Sequence, residues 1–516
     1  WLHQCVLRNT LAGSKTWFLC AGMTLFVGTI ASTLSKKNHV AMAVACGHHC
    51  TFVVTQEGAL FAFGQGSSRQ LGLVNINDQL EPILLASATS LGSPVCMVAA
   101  GKEQAFCITT TGSVFSWGHG YLGTLGHNDY LCKRMPTLLD TQIFAGAKVL
   151  MISCGTNHTM LLTDRGSVWT CGDGSWGKLG HGDFRNYGIF VQVLSTGCTA
   201  PMPRMSMVAA GLYHSVALAS DGRVFSWGRA VEGRLGLYPL SNHQYTIQEP
   251  RPRLVKSLQN HRVEMVASGN DHTVVLTVEG VVFSWGVGGC GQLGMGDMEN
   301  RYIPEQIDAI QRLDAAKIGM VACGNAQTAL LTTEGVLYTC GRSLSVVDTH
   351  PVNANHEFVD VLVPSIVNGH DYGAAPMVSV VVGIQHMCAL DIYGRMYTWG
   401  KAVECLYSGG SLVERKPTGA LGHANILLSL LGAPRLLDFF QDALQVGCFK
   451  TISPSHATAF CMGTIERLSI APDQTGTSPV YYMPFCLLQH IVQEIVLSPS
   501  LSSHADQGLK KLFGCR

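Results

Sequence analysis

Charge is scarce in this chain. Only 13% of its 516 residues are Asp, Glu, Lys or Arg, and the two signs balance at 34 each. That is about half of the usual quarter. Sparse, balanced charge excludes a highly charged disordered chain and a strongly basic nucleic-acid binder. Basic residues occur only in short pairs such as Lys133-Arg134 and Lys510-Lys511, so no strong nucleic-acid signal is present. C-x-x-C pairs are missing too, which removes the usual frame of a structural zinc site. His48-His49 and His119/His127 have no acidic or Cys partners at metal spacing. The segment GVGGCGQLG at Gly286 lacks the Lys-Ser/Thr ending of a phosphate loop. No catalytic residues, cofactor or metal site are therefore expected, and the chain is not expected to be an enzyme.

Glycine is abundant, and much of it keeps a fixed place in a repeat. One unit reads SGNDHTVVLTVEGVVFSWGVGGCGQLG from Ser268. Seven copies share a first glycine at Gly47, Gly101, Gly155, Gly211, Gly269, Gly324 and Gly383, which lie 54 to 59 residues apart by subtraction. Such a period marks one supersecondary unit copied with insertions in its loops. Each copy is too small to bury a core alone.

The columns of the repeat have physical meaning. A stretch such as GVVFSWG at Gly280 or GRVFSWG at Gly222 places an apolar residue third, an aromatic fourth and a small residue fifth in every copy. Adjacent strand positions face opposite ways, so restriction of both columns predicts a strand covered on both faces. A strand such as HTVVLT at His272 precedes it, joined through a turn ending in Gly. A further apolar segment follows Pro136, Pro252 and Pro304, where Pro at a strand start removes no ladder bond. Each unit thus offers about four antiparallel strands. Seven such units predict an all-β, seven-bladed β-propeller. An open solenoid is the rival, and it would need polar caps at both ends.

The combination G-x-x-H-T, then G-x-V-x-x-W-G, then Leu-Gly resembles the regulator of chromosome condensation repeat. The Leu-Gly element stands at Leu71-Gly72, Leu125-Gly126, Leu179-Gly180, Leu235-Gly236 and Leu293-Gly294 and is lost in the last two copies. The resemblance covers roughly residues 40–410 and implies a closed ring of seven blades. It also implies a range of roles: nucleotide exchange on the GTPase Ran, membership of ubiquitin ligases, scaffolding, and in one plant branch UV-B sensing. The loops before the His column carry no Trp, which argues against light sensing, and the tail is too short for a HECT ligase domain.

Nineteen cysteines look at first like a disulfide framework. Cys46, Cys154 and Cys323 instead share a column with Ala and Ser, and Cys171 and Cys340 stand where other copies have Trp. They read as small buried side chains, which points to a reducing compartment, cytoplasmic or nuclear. The His column reads Cys50, Gln104, His158, His214, His272, Gln327 and His386, and its histidines are expected to hydrogen-bond backbone at the strand starts.

The expected domains are an N-terminal segment of uncertain structure over 1–38, the propeller of seven repeats over 39–410, and an extension over 411–516 with room for blade-closing strands and short helices. The chain begins with Trp1 rather than Met, as a fragment would. The uncharged run Trp17–Leu34 has the length of a membrane span, but its Gly, Ser and Thr residues weaken that reading and leave a strand packed on the ring or a poorly ordered end, and no membrane partner is expected. In the extension, the stretch from Ile426 and that from Pro484 read as short helical pieces, and SPSHATAFCMG from Ser453 as a worn half-copy that closes or caps the ring.

By repeat symmetry the loops before the His column emerge on one face, where a rigid scaffold carries binding. The family's exchange factor engages its GTPase there through carboxylates and His. Asn270, Asp271 and His272 match such a loop, and Tyr213 and Glu103 accompany them, so these five residues form the expected protein-binding site. The leading reading is a non-enzymatic protein-interaction propeller. The alternative is an exchange factor for a Ran-like small GTPase.

Overall fold

All seven expected units fold as antiparallel sheets in the computed structural model. It describes residues 19–436 apart from internal segments, the longest being 195–201, 238–246, 345–357, 368–375 and 418–429. The fifth blade shows the pattern, with strands Val263–Ser268, His272–Thr277, Val282–Gly286 and Arg301–Gln306. Its second and third strands are buried along their whole length, because neighbouring blades cover both faces. Phe283 and Trp285 both lie in this core. The hairpin between them turns at Gly280, whose φ of 87° lies in the region that favours glycine. The outermost strand carries Pro304, which an edge tolerates.

The two terminal blades differ from the sequence expectation. The first sheet has six strands, because Met23–Ala31 pairs with Asn38–Cys46 and Leu19–Cys20 pairs with it in turn. Part of the apolar run 17–34 is therefore a strand, and the ring sheet begins before residue 39. Among the described residues no helix is long and apolar enough to cross a membrane. The seventh blade consists of Met377–Val382, His386–Asp391, Met396–Lys401 and Leu430–Leu436. Leu430–Leu436 falls in the stretch expected to be helical, and it carries the blade past residue 410. It is the outer strand: Tyr397 pairs with Leu436 as Phe225 pairs with Leu254 in the fourth blade. A hairpin, Val403–Ser408 with Ser411–Pro417, fills part of the insertion before it. The half-copy at Ser453 and the segment from Pro484 lie outside the described residues.

The ring is closed. A Cβ built on Gly101 would stand 2.5 Å from the carbonyl oxygen of Gly155, and the same relation links each repeat glycine to the next. The last step joins Gly383 to Gly47, where the distance is 2.9 Å. Glycine is required here because the first strands converge and leave no room for a side chain.

Side chains staple most blades to the next. His158, His214, His272 and His386 are fully buried. Their Nε2 atoms meet hydroxyls of the following blade: Ser215 at 2.9 Å, Thr273 at 2.9 Å, Thr328 at 2.9 Å and Thr51 at 3.0 Å. The expected backbone bonds are thus replaced by bonds to side chains one blade away. Ser215 Oγ donates to the Lys178 carbonyl at 2.7 Å, and Thr328 Oγ1 donates to that of Gln292 at 2.7 Å. A hydroxyl that spends its proton on a carbonyl must accept from the imidazole, so the Nε2–H tautomer follows. The Trp column adds a second tie, from Trp227 Nε1 to Lys178 O at 2.9 Å and from Trp285 Nε1 to Arg234 O at 2.9 Å.

Candidate functional site on the loop face

Two loops of every blade reach the same face. One follows the repeat glycine and the other follows the third strand, and a backbone bond ties them. Examples are Asp173 N–H to Asn157 O at 2.8 Å, Arg229 N–H to Tyr213 O at 3.0 Å and Val287 N–H to Asp271 O at 2.9 Å. All seven blades line the mouth at the ring centre, with Lys102, Thr156, Asn270, Asn325 and Ile384 among the lining residues.

The five residues expected from sequence are spread over the second, fourth and fifth blades. Glu103 accepts from Ser68 Oγ at 3.2 Å and lies 3.8 Å from His119 Nδ1. Asn270 Nδ2 donates to Asn325 Oδ1 at 2.7 Å, across a blade boundary. Asp271 pairs with Arg234 Nε at 2.7 Å, and that guanidinium is 4% exposed and also meets Val231 O and Glu232. Asp271 thus neutralises a buried cation of the preceding blade. His272 is 0% exposed and stapled to Thr328, so it is no part of a binding surface. Burial removes it because the His column points inward between blades.

Tyr213 has a different environment. Arg229 follows the closing glycine of the same blade, and its guanidinium carbon stands 5.2 Å from the Tyr213 ring centroid and 4.9 Å from that of Trp176. The cation thus lies between two partly exposed aromatics from adjacent blades. Arg229 Nε is buried and has no hydrogen-bond partner among the described residues. Trp176 sits at φ 62°, in the same turn position as Leu122 and Glu232 at φ 63°. Because three unrelated side chains share this unfavourable conformation, the turn imposes it. The effect is to hold Trp176 against Arg229. Sequence reading overlooked Arg229 and Trp176, because the residue after the closing glycine varies freely between copies and carries no column signal.

His48, beside the mouth, is held in its neutral form. Burial, then the positive charge of Lys102, pushes His48 down to about 4, and its ring stacks on His49 at 4.1 Å. A separate buried cluster of Cys46, His386 and Cys388 is the group of metal-ligating side chains that meets among the described residues.

Comparison with known proteins agrees with this architecture. Residues 26–320 match the family model described as the RCC1-like domain. Over 296 residues the chain is 34% identical to the E3 ubiquitin-protein ligase HERC2 of Homo sapiens, covering 56% of this chain and 6% of that protein. Over 269 residues it is 32% identical to the ultraviolet-B receptor UVR8 of Arabidopsis thaliana, covering 52% of this chain and 58% of the receptor. The chain thus spans a small part of the first and little more than half of the second. Among solved structures, human WBSCR16 superposes with a TM-score of 0.59 at 21% identity, covering 73% of this chain and 93% of that one. Prp20p of Saccharomyces cerevisiae gives 0.59 at 21% identity, covering 76% and 88%. These two likenesses concern the fold. With the family match spanning more than half its length and its seven blades in a ring, the chain belongs to the RCC1-like domain family.

Proposed function

We propose that this chain is a non-enzymatic propeller that binds a protein partner through the loop face, with Trp176, Tyr213 and Arg229 as the anchor. The observation that carries this reading is the Arg229 guanidinium, held between two aromatics with a buried Nε that has no hydrogen-bond partner among the described residues. Trp, Tyr and Arg dominate the energetics of protein interfaces. A guanidinium already fixed by stacking loses little freedom when it meets a carboxylate. A partner that presents an acidic side chain there fits best. The thiols of Cys154, Cys171, Cys323 and Cys340, buried in the repeat columns and in no disulfide among the described residues, support a reducing, cytoplasmic or nuclear setting.

Family names lend support to protein binding. The chain resembles the mouse X-linked retinitis pigmentosa GTPase regulator at 32% identity. Prp20p is described with binding to Gsp1p and histones. The exchange-factor reading gains less from the geometry, because Asp271, the carboxylate that suggested it, is committed to Arg234.

The test is capture of partners from cell extract by the wild-type chain and by a Trp176→Ala/Arg229→Ala double variant, with quantitative mass spectrometry. Partners retained by the wild type should fall at least tenfold on the variant at unchanged thermal stability. Equal capture by both would place binding elsewhere. A fluorescent-nucleotide release assay with Ran, run beside it, decides the exchange reading.

A further inference from the structure

We propose that Cys46, His386 and Cys388 form a Cys2His site for Zn2+ at the seam where the seventh blade meets the first. One ligand atom from each lies within 4.8 Å of the others, and the two sulfurs are 3.4 Å apart. All three are buried, at 4%, 0% and 2% exposure. His386 Nε2 is engaged by Thr51 Oγ1 at 3.0 Å. Its Nδ1, like those of His158, His214 and His272, is left with no hydrogen-bond partner among the described residues, and what sets His386 apart is the pair of thiols beside it. A metal-bound imidazole ordinarily has this arrangement, with one nitrogen on the metal and the other held by a second group.

The repeat shows that this cluster is particular to the seam. Cys388 stands two residues after its His. Other copies have Phe52, Phe106, Met160, Val216, Val274 and Ala329 there, all apolar. A second position on the same strand face thus became a thiol in the blade whose neighbour supplies Cys46. Zn–S bonds of about 2.3 Å at a tetrahedral angle place two sulfurs about 3.8 Å apart, so the pair needs to open by only a few tenths of an ångström. Cys46 also lines the central mouth with Gly47, Val382 and Gly383. That opening offers a route for the ion and room for water as a fourth ligand. Two thiolates and a neutral imidazole around Zn2+ carry no net charge, which suits a buried place. Binding releases the two thiol protons to solvent. Metal bound here would tie the first blade to the last.

The repeat also supplies test variants that should fold. Cys388→Val copies Val216 and Val274, and His386→Gln copies Gln104 and Gln327. The full chain, reduced and stripped with chelator, is titrated with Co2+ and then with Zn2+. Expected for the wild type are about one Co2+ per chain, thiolate-to-cobalt absorption and visible bands of a tetrahedral ion, displacement by Zn2+, and a raised melting temperature. Both variants should melt like the metal-free wild type and lose the bands. Absence of the bands in the reduced wild type would overturn the site. So would their survival in Cys388→Val, which would place the metal on other thiols.

Discussion

Trp285 has one polar atom, and that atom reaches the Arg234 carbonyl of the preceding blade while the ring is fully buried. Its two contributions are separable. Trp285→Ala removes a packed aromatic and should cost about 3–5 kcal/mol. Trp285→Phe keeps much of the packing and loses the bond, and should cost roughly 1–3 kcal/mol. Urea unfolding of both variants measures this, and an unchanged midpoint for the alanine variant would place the ring outside the core. The burial of this tryptophan was legible in the sequence, because its column is restricted in every copy. The pairing of Asp271 was not. Its partner Arg234 stands in a column shared with Gln70, Thr124, Lys178 and Gln292, and nothing in that series announces a cation. Lys178, the equivalent residue of the previous blade, pairs within its own blade instead, its Nζ 2.5 Å from Asp173.

At the scale of the element, the repeat glycines and the outer strands behave in opposite ways. The glycines are intolerant. A Cβ on Gly269 would stand 2.3 Å from the Gly324 oxygen and 2.3 Å from His272 Cε1, so backbone and a stapled ring would both have to move. Gly269→Ala should destabilise by about 1–3 kcal/mol or more. A thermal melt within a degree of wild type would contradict the close approach. Outer strands tolerate wide variation, which is why the seventh was misread. Its APRLLD at Ala433 matches the RPRLVK at Arg251 in the fourth blade, and that likeness was available in the sequence. The long insertion before it hid the register, and short apolar runs do not by themselves tell helix from strand.

At the scale of the whole molecule, three buried histidines couple ring stability to pH. Burial, with further help from nearby Lys178 for His158 and Arg234 for His214, pushes both to about 3. Burial pushes His272 to about 4. The folded ring thus refuses protons that the unfolded chain accepts below about 6.5. Their contribution is complete above that pH and is lost as pH falls toward 4. Each histidine should remove about 1 kcal/mol between pH 6.5 and 5.5, or about 3 kcal/mol together. Paired carboxylates titrate lower, which leaves this window to histidine. Urea midpoints across the window measure the slope; His48 and His181, both also pushed down to about 4, add to it, so His272→Gln should reduce it by about a fifth. Constant stability from pH 7 to 5 would rule out buried neutral imidazoles.

The sequence by itself determined the number of blades, the inner strands within them and the face on which the loops emerge. These follow from local periodicity, glycine at fixed turns and apolar columns, all of which repeat within one unit. Tertiary structure alone decided what meets across blade boundaries. The staple from His158 to Ser215, the cation of Arg229 between Trp176 and Tyr213, and the approach of Cys46 to Cys388 join residues from different units. The last pair is 342 residues apart in the chain. Only closure of the ring brings its ends together, because the curvature of seven packed sheets, rather than any local pattern, places the seventh blade beside the first.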